Sequence, residues 1–391
     1  MAKPARNYAG SHPTIRISSK RFRLSPYAPC YATDDTVWGV YSGRLYALTW
    51  GDDPIEHYWA LKRRAALYDV PEHPIAIEGP DAARLLGRVF CRRVDDLAVG
   101  RARYAIACRD DGGILMDGIL LRLAADRFWY VLADGDFVPW LHAHARGFDA
   151  RITDPGSSII QIQGPRAFDI LAAVWDADAA RALKYFHVRE CAIAGQRLLV
   201  SRTGWTGELG FELYTLDPSP DGPALWRHLL EAGTSFGLVA SSLESMGIRR
   251  IEAGILDNGT DMDPSMTPFQ AGLGRFVEFD AGDFVGRAAL ERADRRTCLL
   301  GVACHVGVPV AGMTIEHEGR AAGRVTTGAW SPHLGHGIGY ARMAEPGSWR
   351  DAAVALVDRA GVRFDATLLD LPFYDPNKLV PRGLAEGGHG A

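Results

Sequence analysis

Two stretches of this chain repeat one another's frame. "IAIEGPDAARLL" (75–86) and "IIQIQGPRAFDIL" (159–171) share I-x-I-x-G-P-x-A-x-x-(L/I)-L, with Gly79 and Gly164 separated by 164 − 79 = 85 positions. Alternating isoleucines read as a strand, the glycine as a turn, and the proline as the first residue of a helix. Two copies of one strand–turn–helix unit predict a pseudo-duplicated α+β region built on antiparallel sheets.

The segments between and after the copies fit that frame. "RARYAIAC", "GGILMDGILLRL" and "RFWYVLAD" (127–134) are strand-like, and "DFVPWLHAHARG" predicts a short helix stopped at Gly147. "QRLLVSR" and "ELGFELYT" predict a strand pair joined through "TGWTG". "PALWRHLLEAGTSFG" (223–237) and "SSLESMGIRRIEAG" (241–254) have helical spacing. Past about 285–300 the texture changes to short strands punctuated by glycine and proline, such as "LLGVACHV", "AAGRVTTGAW" and "HGIGYARM", which predict a separate small β-barrel or sandwich. At 391 residues more than one core is expected. The predicted division is an N-terminal arm and substrate-side segment (1–50), the duplicated α+β region (51–295), the barrel (296–378) and a disordered tail (379–391).

Composition restricts the function classes. Apolar residues make up 47% and charged residues 23% of the chain, the balance of a soluble globular protein. The formal net charge, 43 − 47 = −4, gives no pull toward nucleic acid, so an anionic ligand would be met by local arginines. Six cysteines include no C-x-x-C pair, and reduced, packed thiols in a cytoplasmic protein are expected. No apolar run reaches the length of a membrane span. The basic "MAKPARNYAGSHPTIRISSKRFRLSP" has no apolar stretch behind it and is not a secretory signal.

A few carboxylates stand out. If 113–123 is a strand, Asp117 shares a face with Leu115, Ile119, Leu121 and Leu123, so it must be protonated, paired, or aimed at a ligand. A structural aspartate bonded to a nearby turn accounts for the pattern equally well. In "GWTGELGFELY" (204–214), Gly210, Glu212 and Tyr214 share a face. That face suits a flat heteroaromatic ring bearing N–H donors, or it is simply the solvent side of the strand. Trp205 in the turn is a lid or a packed aromatic. Arg249 and Arg250 each suit a bidentate grip on a carboxylate, or an ion pair with neighbouring Glu252, Asp257, Asp261 or Asp263. The acidic run lacks a calcium-loop frame, "HAH" is a poor metal pair, and no metal is expected. Dinucleotide, phosphate-loop and G-x-S-x-G signatures are missing. Ten tryptophans allow an aromatic cage for a methylated cation, although core packing explains most of them.

At these residues the chain resembles the aminomethyltransferase (glycine-cleavage T-protein) family. "GWTGELGFELY" resembles the family's G-[YW]-[TS]-G-E-x-G-[FY]-E signature, and "RRIEAGILDNGTDMDPSMTPFQAGLGRFV" its L-R-L-E-A-G … P-x-E-A-G-L block. "DFVGRAAL" and "GRVTTGAWSPHLGHGIGY" resemble its two later blocks, all in order from about 55 to 345. The resemblance implies an α+β, three-domain ring around a central tetrahydrofolate channel, closed by a small C-terminal β-barrel. It implies that Glu212 binds the pterin ring, Asp117 lies near the one-carbon transfer point, Tyr104 contacts folate, and Arg250 clamps a carboxylate.

Some blocks depart from the T-protein pattern. "YDVPEHP" (68–74) stands for F-D-V-S-H-M, so His73 has no safe counterpart, and "VLADGDF" (131–137) lacks the asparagines of V-x-N-A-x-N. In these places the chain resembles the family's dimethylsulfoniopropionate demethylases. The resulting expectation is a methyltransferase that demethylates a small sulfonium, ammonium or methoxy donor onto tetrahydrofolate without a carrier protein. Trp205, Tyr27 and Trp330 are candidates to face the methyl cation, and Asp134 to contact the donor. The alternatives are an aminomethyltransferase working with a lipoyl carrier protein and a folate-binding regulatory protein without turnover.

Overall fold

The computed structural model describes residues 19–385. The first repeat unit lies in a five-stranded antiparallel sheet ordered Arg101–Cys108, Ile114–Ala124, Arg127–Leu132, His73–Glu78, Arg151–Thr153. The second lies in a six-stranded sheet ordered Val188–Ile193, Gln196–Ser201, Gly210–Thr215, Ile159–Gln163, Ala65–Val70, Leu238–Ala240, in which only the last pair is parallel.

The shared frame has a steric origin. Gly79 and Gly164 have φ of +130° and +125°, and a Cβ there would meet the Asp149 carbonyl at 2.5 Å and the Arg64 carbonyl at 2.6 Å. Only glycine fits both the dihedral and the space. The prolines do not open the helices. Ala82 and Ala167 donate back to the carbonyls of Gly79 and Gly164, so Pro80 and Pro165 occupy tight turns, and the helices Ala82–Val89 and Ala167–Val174 begin two residues later.

Each sheet covers one core with its helices. The first packs Ile75, Ile77, Met116, Leu120 and Phe128 against Leu85, Leu86 and Leu141. The second packs Ile160, Ile162, Phe211 and Leu213 against Ile170, Leu171, Leu225 and Trp226. The opposite faces meet through Tyr68, Leu121, Trp129, Val131, Leu199 and Tyr214. The expected helices form at Phe137–His144, Gly222–Gly233 and Leu243–Glu252. A further helix, Pro54–Arg63, starts where Asp53 accepts from the Ile55 and Glu56 amides, an N-cap followed by proline.

The third domain is a closed barrel of six strands, from Leu299–Cys304 to Arg363–Leu369. Its last strand, in "RFDATLL", carries no turn-bounded apolar alternation strong enough to mark it in the sequence. The N-terminal segment builds a three-stranded sheet from Arg23–Leu24, Arg44–Thr49 and Val37–Tyr41. The supposed tail is partly ordered: Leu379–Arg382 is a helical turn with Val380 buried, and the Pro381 carbonyl accepts from Arg202. Residues 386–391 of that predicted tail, and most of the basic N-terminal arm, lie outside the described residues. Among the described residues no helix is long and apolar enough to cross a membrane.

Candidate functional site

The two sheets, the loop after Glu252, the start of the barrel and the C-terminal turn enclose a cavity of about 1170 Å³. Asp117, Glu212, Tyr104 and Trp205 all lie on its wall.

Glu212 is 8% exposed. It stands directly opposite Gln161 on one neighbouring strand and Ser201 on the other. Gln161 donates to Oε1 at 2.8 Å, Tyr214 donates to Oε2 at 2.6 Å, and the Thr203 hydroxyl donates to Oε2 as well. Burial raises the carboxyl's pKa, and the Thr203 and Tyr214 hydroxyls oppose that rise. The glycines around it serve packing: a Cβ on Gly204 or Gly210 would lie within 2.3 Å or 2.5 Å of the Gln163 side chain. That glycine surface therefore accommodates Gln163, and the flat-ring surface expected of it is not formed by glycine alone.

Asp117 sits on the inward face of its strand, as its alternation predicts. Tyr104 donates to its Oδ2 at 2.9 Å and Asn258 to its Oδ1 at 3.1 Å. Burial lifts its pKa to about 6, Asp257 adds to the rise, and the two donors restrain it. Tyr104 is fixed edge-on to Phe276, with ring centroids 4.7 Å apart.

The remaining candidates separate. Arg250 is 6% exposed, is not on the cavity wall, and spends its guanidinium internally. It donates to Asp261 at 2.6 Å, the Ile255 carbonyl at 3.1 Å and Thr327 at 3.3 Å, and stacks 5.0 Å from the Trp205 ring. The structure shows the ion-pair arrangement of this arginine, with three of its N–H groups engaged internally and its side chain off the cavity wall. Asp261 in turn accepts from the Asp257 amide at 2.9 Å and from Thr326 at 2.7 Å, so the pair organises the loop that carries Asp257 and Asn258. Arg249 is likewise internal, bonded to Glu208 at 2.7 Å and Glu252 at 3.2 Å.

Tyr27 does not face the cavity: it is fully buried in the core of the second sheet, 6.0 Å from Trp226. Trp330 is 44% exposed on the barrel and also off the wall, because strand alternation there sends Ser331 inward. Asp134 accepts from the Ser42 amide at 2.9 Å and stands beside the wall residue Ala133.

Several wall residues carry no strong sequence signal. Glu72, Tyr41, Asp257 and Asn258 join Asp117 and Glu212 on the cavity surface. Exposed Arg101, Arg275 and Arg382 line it toward solvent, together with Lys378. Burial, with Arg249 and Arg275 nearby, lowers the Lys378 pKa to about 8. The cavity is thus acidic in its interior, and toward solvent Arg101, Arg275, Arg382 and Lys378 outweigh the exposed Asp96 and Asp370. Glu72 falls in "YDVPEHP", where departure from the family pattern drew attention to the segment but to His73. His73 instead pairs with Asp154 at 3.2 Å.

Comparison with known proteins accords with this architecture. Residues 33–281 match the GCVT N-terminal domain family, and residues 295–375 match the glycine cleavage T-protein C-terminal barrel domain. The chain is 38% identical over 359 residues to an aminomethyltransferase of Streptomyces avermitilis, covering 86% of this chain and 94% of that protein. It is 35% identical over 287 residues to dimethylsulfoniopropionate demethylase DmdA of Ruegeria pomeroyi, covering 70% of this chain and 76% of that protein. The similarity to the aminomethyltransferase is higher and longer, so a special closeness to the demethylases is only weakly supported. The glycine cleavage aminomethyltransferase T of Bartonella henselae superposes with a TM-score of 0.79 at 26% identity, covering 90% of this chain and 98% of that one. With its two pseudo-repeated sheets, its C-terminal barrel and its central cavity, this chain belongs to the aminomethyltransferase (glycine-cleavage T-protein) family.

Proposed function

We propose that this protein transfers a one-carbon unit from a small, positively charged donor to tetrahydrofolate. The observation that carries the reading is the polarity of the cavity: buried Glu212 and half-buried Glu72, Asp117 and Asp257 inside, with Arg101, Arg275, Arg382 and Lys378 outweighing Asp96 and Asp370 toward solvent. Tetrahydrofolate supplies a secondary amine that accepts the carbon. The residues present fit it: Glu212 offers a buried carboxylate for ring N–H groups, and Arg101, Arg275, Arg382 and Lys378 suit its carboxylate tail. Trp205, backed by the Arg250 guanidinium, offers a flat apolar surface between them.

Asp117 is the group for the transfer point. Held by Tyr104 and Asn258, its carboxylate balances a cationic donor or accepts a proton released as the acceptor nitrogen gains its carbon. A sulfonium or ammonium donor already contains a good leaving group, so the protein's contribution is chiefly alignment and exclusion of water.

Two donors meet this description. An aminomethyl group on a lipoyl carrier also presents an ammonium, and the higher identity to aminomethyltransferases supports that donor. The departures at "YDVPEHP" and "VLADGDF", with the similarity to the demethylase, support a free methylated cation. One assay separates them. Protein and tetrahydrofolate are incubated with methylated sulfonium and ammonium compounds, or with an aminomethyl-loaded lipoyl carrier, and products are identified by mass spectrometry. Methyltetrahydrofolate without carrier supports the methyl donor, and methylenetetrahydrofolate with ammonia release only with carrier supports the other. Folate binding with no turnover on either would establish a regulatory binder instead.

A further inference from the structure

One acidic group on the cavity wall has no partner. Glu72 lies in the two-residue link between the strands Ala65–Val70 and His73–Glu78, on the cavity wall. Its Oε2 is buried and makes no hydrogen bond among the described residues. A buried carboxylate oxygen without a donor is costly, and such groups are retained where something else fills the vacancy. Among the described residues no cation bonds to it: Arg44, the positive group acting on Glu72, gives an N–H to the Ser157 carbonyl at 2.8 Å, and its Nε makes no hydrogen bond.

The surroundings select what the missing partner is. Glu72 shares the wall with Tyr41, Glu212 and Asp257. Burial, then Glu72, Asp257 and Asp117, raise the Tyr41 hydroxyl, so Tyr41 shares the acidic part of this wall with them. Glu212 differs from Glu72 in having both oxygens satisfied by Gln161, Thr203 and Tyr214. A carboxyl oxygen without a donor, on a cavity wall that also carries a tyrosine, suits a cationic ligand.

Resting on the folate-linked reading above, we propose that Glu72, on the wall it shares with Tyr41, receives the positively charged centre of the one-carbon donor, so that Glu72 selects ammonium or sulfonium donors over neutral ones. Burial, then Glu212 and Asp257, raise the Glu72 pKa to about 8, against the opposing pull of Arg44 and its own main-chain N–H. The empty site therefore holds a proton at neutral pH, with Tyr41 and Tyr214 as its other ionisable neighbours. An arriving cation displaces that proton, which leaves to solvent.

The test uses the full chain loaded with tetrahydrofolate, probed by calorimetry with choline and with its neutral isostere 3,3-dimethylbutanol. The expected result is choline preference of at least about tenfold, falling by about tenfold in Glu72→Gln, while tetrahydrofolate affinity is unchanged. In the wild-type protein, choline binding at pH 7 releases close to one proton, read from the heats in buffers of different ionisation enthalpy. That second measurement needs no variant to fold. Equal binding of choline and the isostere, an undiminished preference in Glu72→Gln, or no proton release overturns the assignment. Failure of tetrahydrofolate to bind at all overturns the folate reading itself, an outcome distinct from the other three.

Discussion

The Tyr104 phenol donates to Asp117 Oδ2 at 2.9 Å across two adjacent strands of the first sheet, while Asn258 reaches Oδ1 from the far side of the cavity. The aspartate is thereby held between the first sheet and the loop that follows Glu252.

If the ionised form of Asp117 serves the transfer, turnover rises with pH through about 6 and levels above it, following the raised carboxyl. Asp117→Asn lowers kcat on the order of 100-fold and flattens the profile. Tetrahydrofolate affinity changes by only a few-fold. Steady-state rates between pH 5 and 8, with calorimetry on the variant, check all three outcomes.

Glu212→Gln retains the volume but replaces one oxygen that accepts from Tyr214 and Thr203. If Glu212 pairs with the pterin as proposed, losing that charge-assisted pair costs roughly 1.5–3 kcal/mol, or about 10- to 100-fold in tetrahydrofolate affinity. Calorimetric titration measures it, and circular dichroism confirms that the variant folds.

Arg250→Met removes the partner of buried Asp261. Breaking such a pair on one side destabilises by about 3–5 kcal/mol, so the midpoint of urea unfolding falls sharply. Folate affinity of the folded fraction changes little. Collapse of folate affinity at full stability would instead show that the arginine grips the ligand.

Three buried carboxyls give the ligand-free protein its own pH dependence. Burial lifts Asp69 and Asp117 to about 6 and Glu72 to about 8. Each binds its proton more tightly folded than unfolded, so its contribution is whole below about pH 4 and is lost as pH rises through the folded value. Thermal midpoints accordingly decline from pH 5 to pH 9. Glu72→Gln removes the last part of that decline, leaving a variant more stable than wild type at pH 9.

Tyr27→Phe and Trp330→Ala leave turnover within about twofold of wild type, since surface and remote positions outside a site have small effects. The Tyr27 hydroxyl has no partner to lose, and Trp330 stands off the cavity.

The frame around Gly79 and Gly164 was readable because steric limits at a turn act on a single residue and recur wherever the turn recurs. The inward pointing of Asp117 was readable for a similar reason, since strand alternation is local. Glu212 needed the family resemblance, because period two alone does not tell a cavity from solvent. Gln161 escaped notice because pairing it with Glu212 requires the register between strands separated by half the domain. Arg250 shows the limit of residue chemistry: a guanidinium suits an external carboxylate and an internal one equally, and only the loop's return through Asp261 decides. Glu72 lay in a segment marked by its departure from pattern, but its lack of a partner is a property of everything around it.

Thr326 donates to Asp261 and Thr327 accepts from Arg250, so the barrel, besides lending Leu299 and Leu300 to the cavity wall, braces a loop it does not itself contain. The third domain acts as a splint for the loop bearing Asp257 and Asn258, and because its core is continuous with Ile106, Cys108 and Ile114 of the first sheet, severing it would bare that sheet as well as slacken the loop. Grafting on a foreign barrel that still covers that sheet should blunt the enzyme, unless the two threonines travel with the graft.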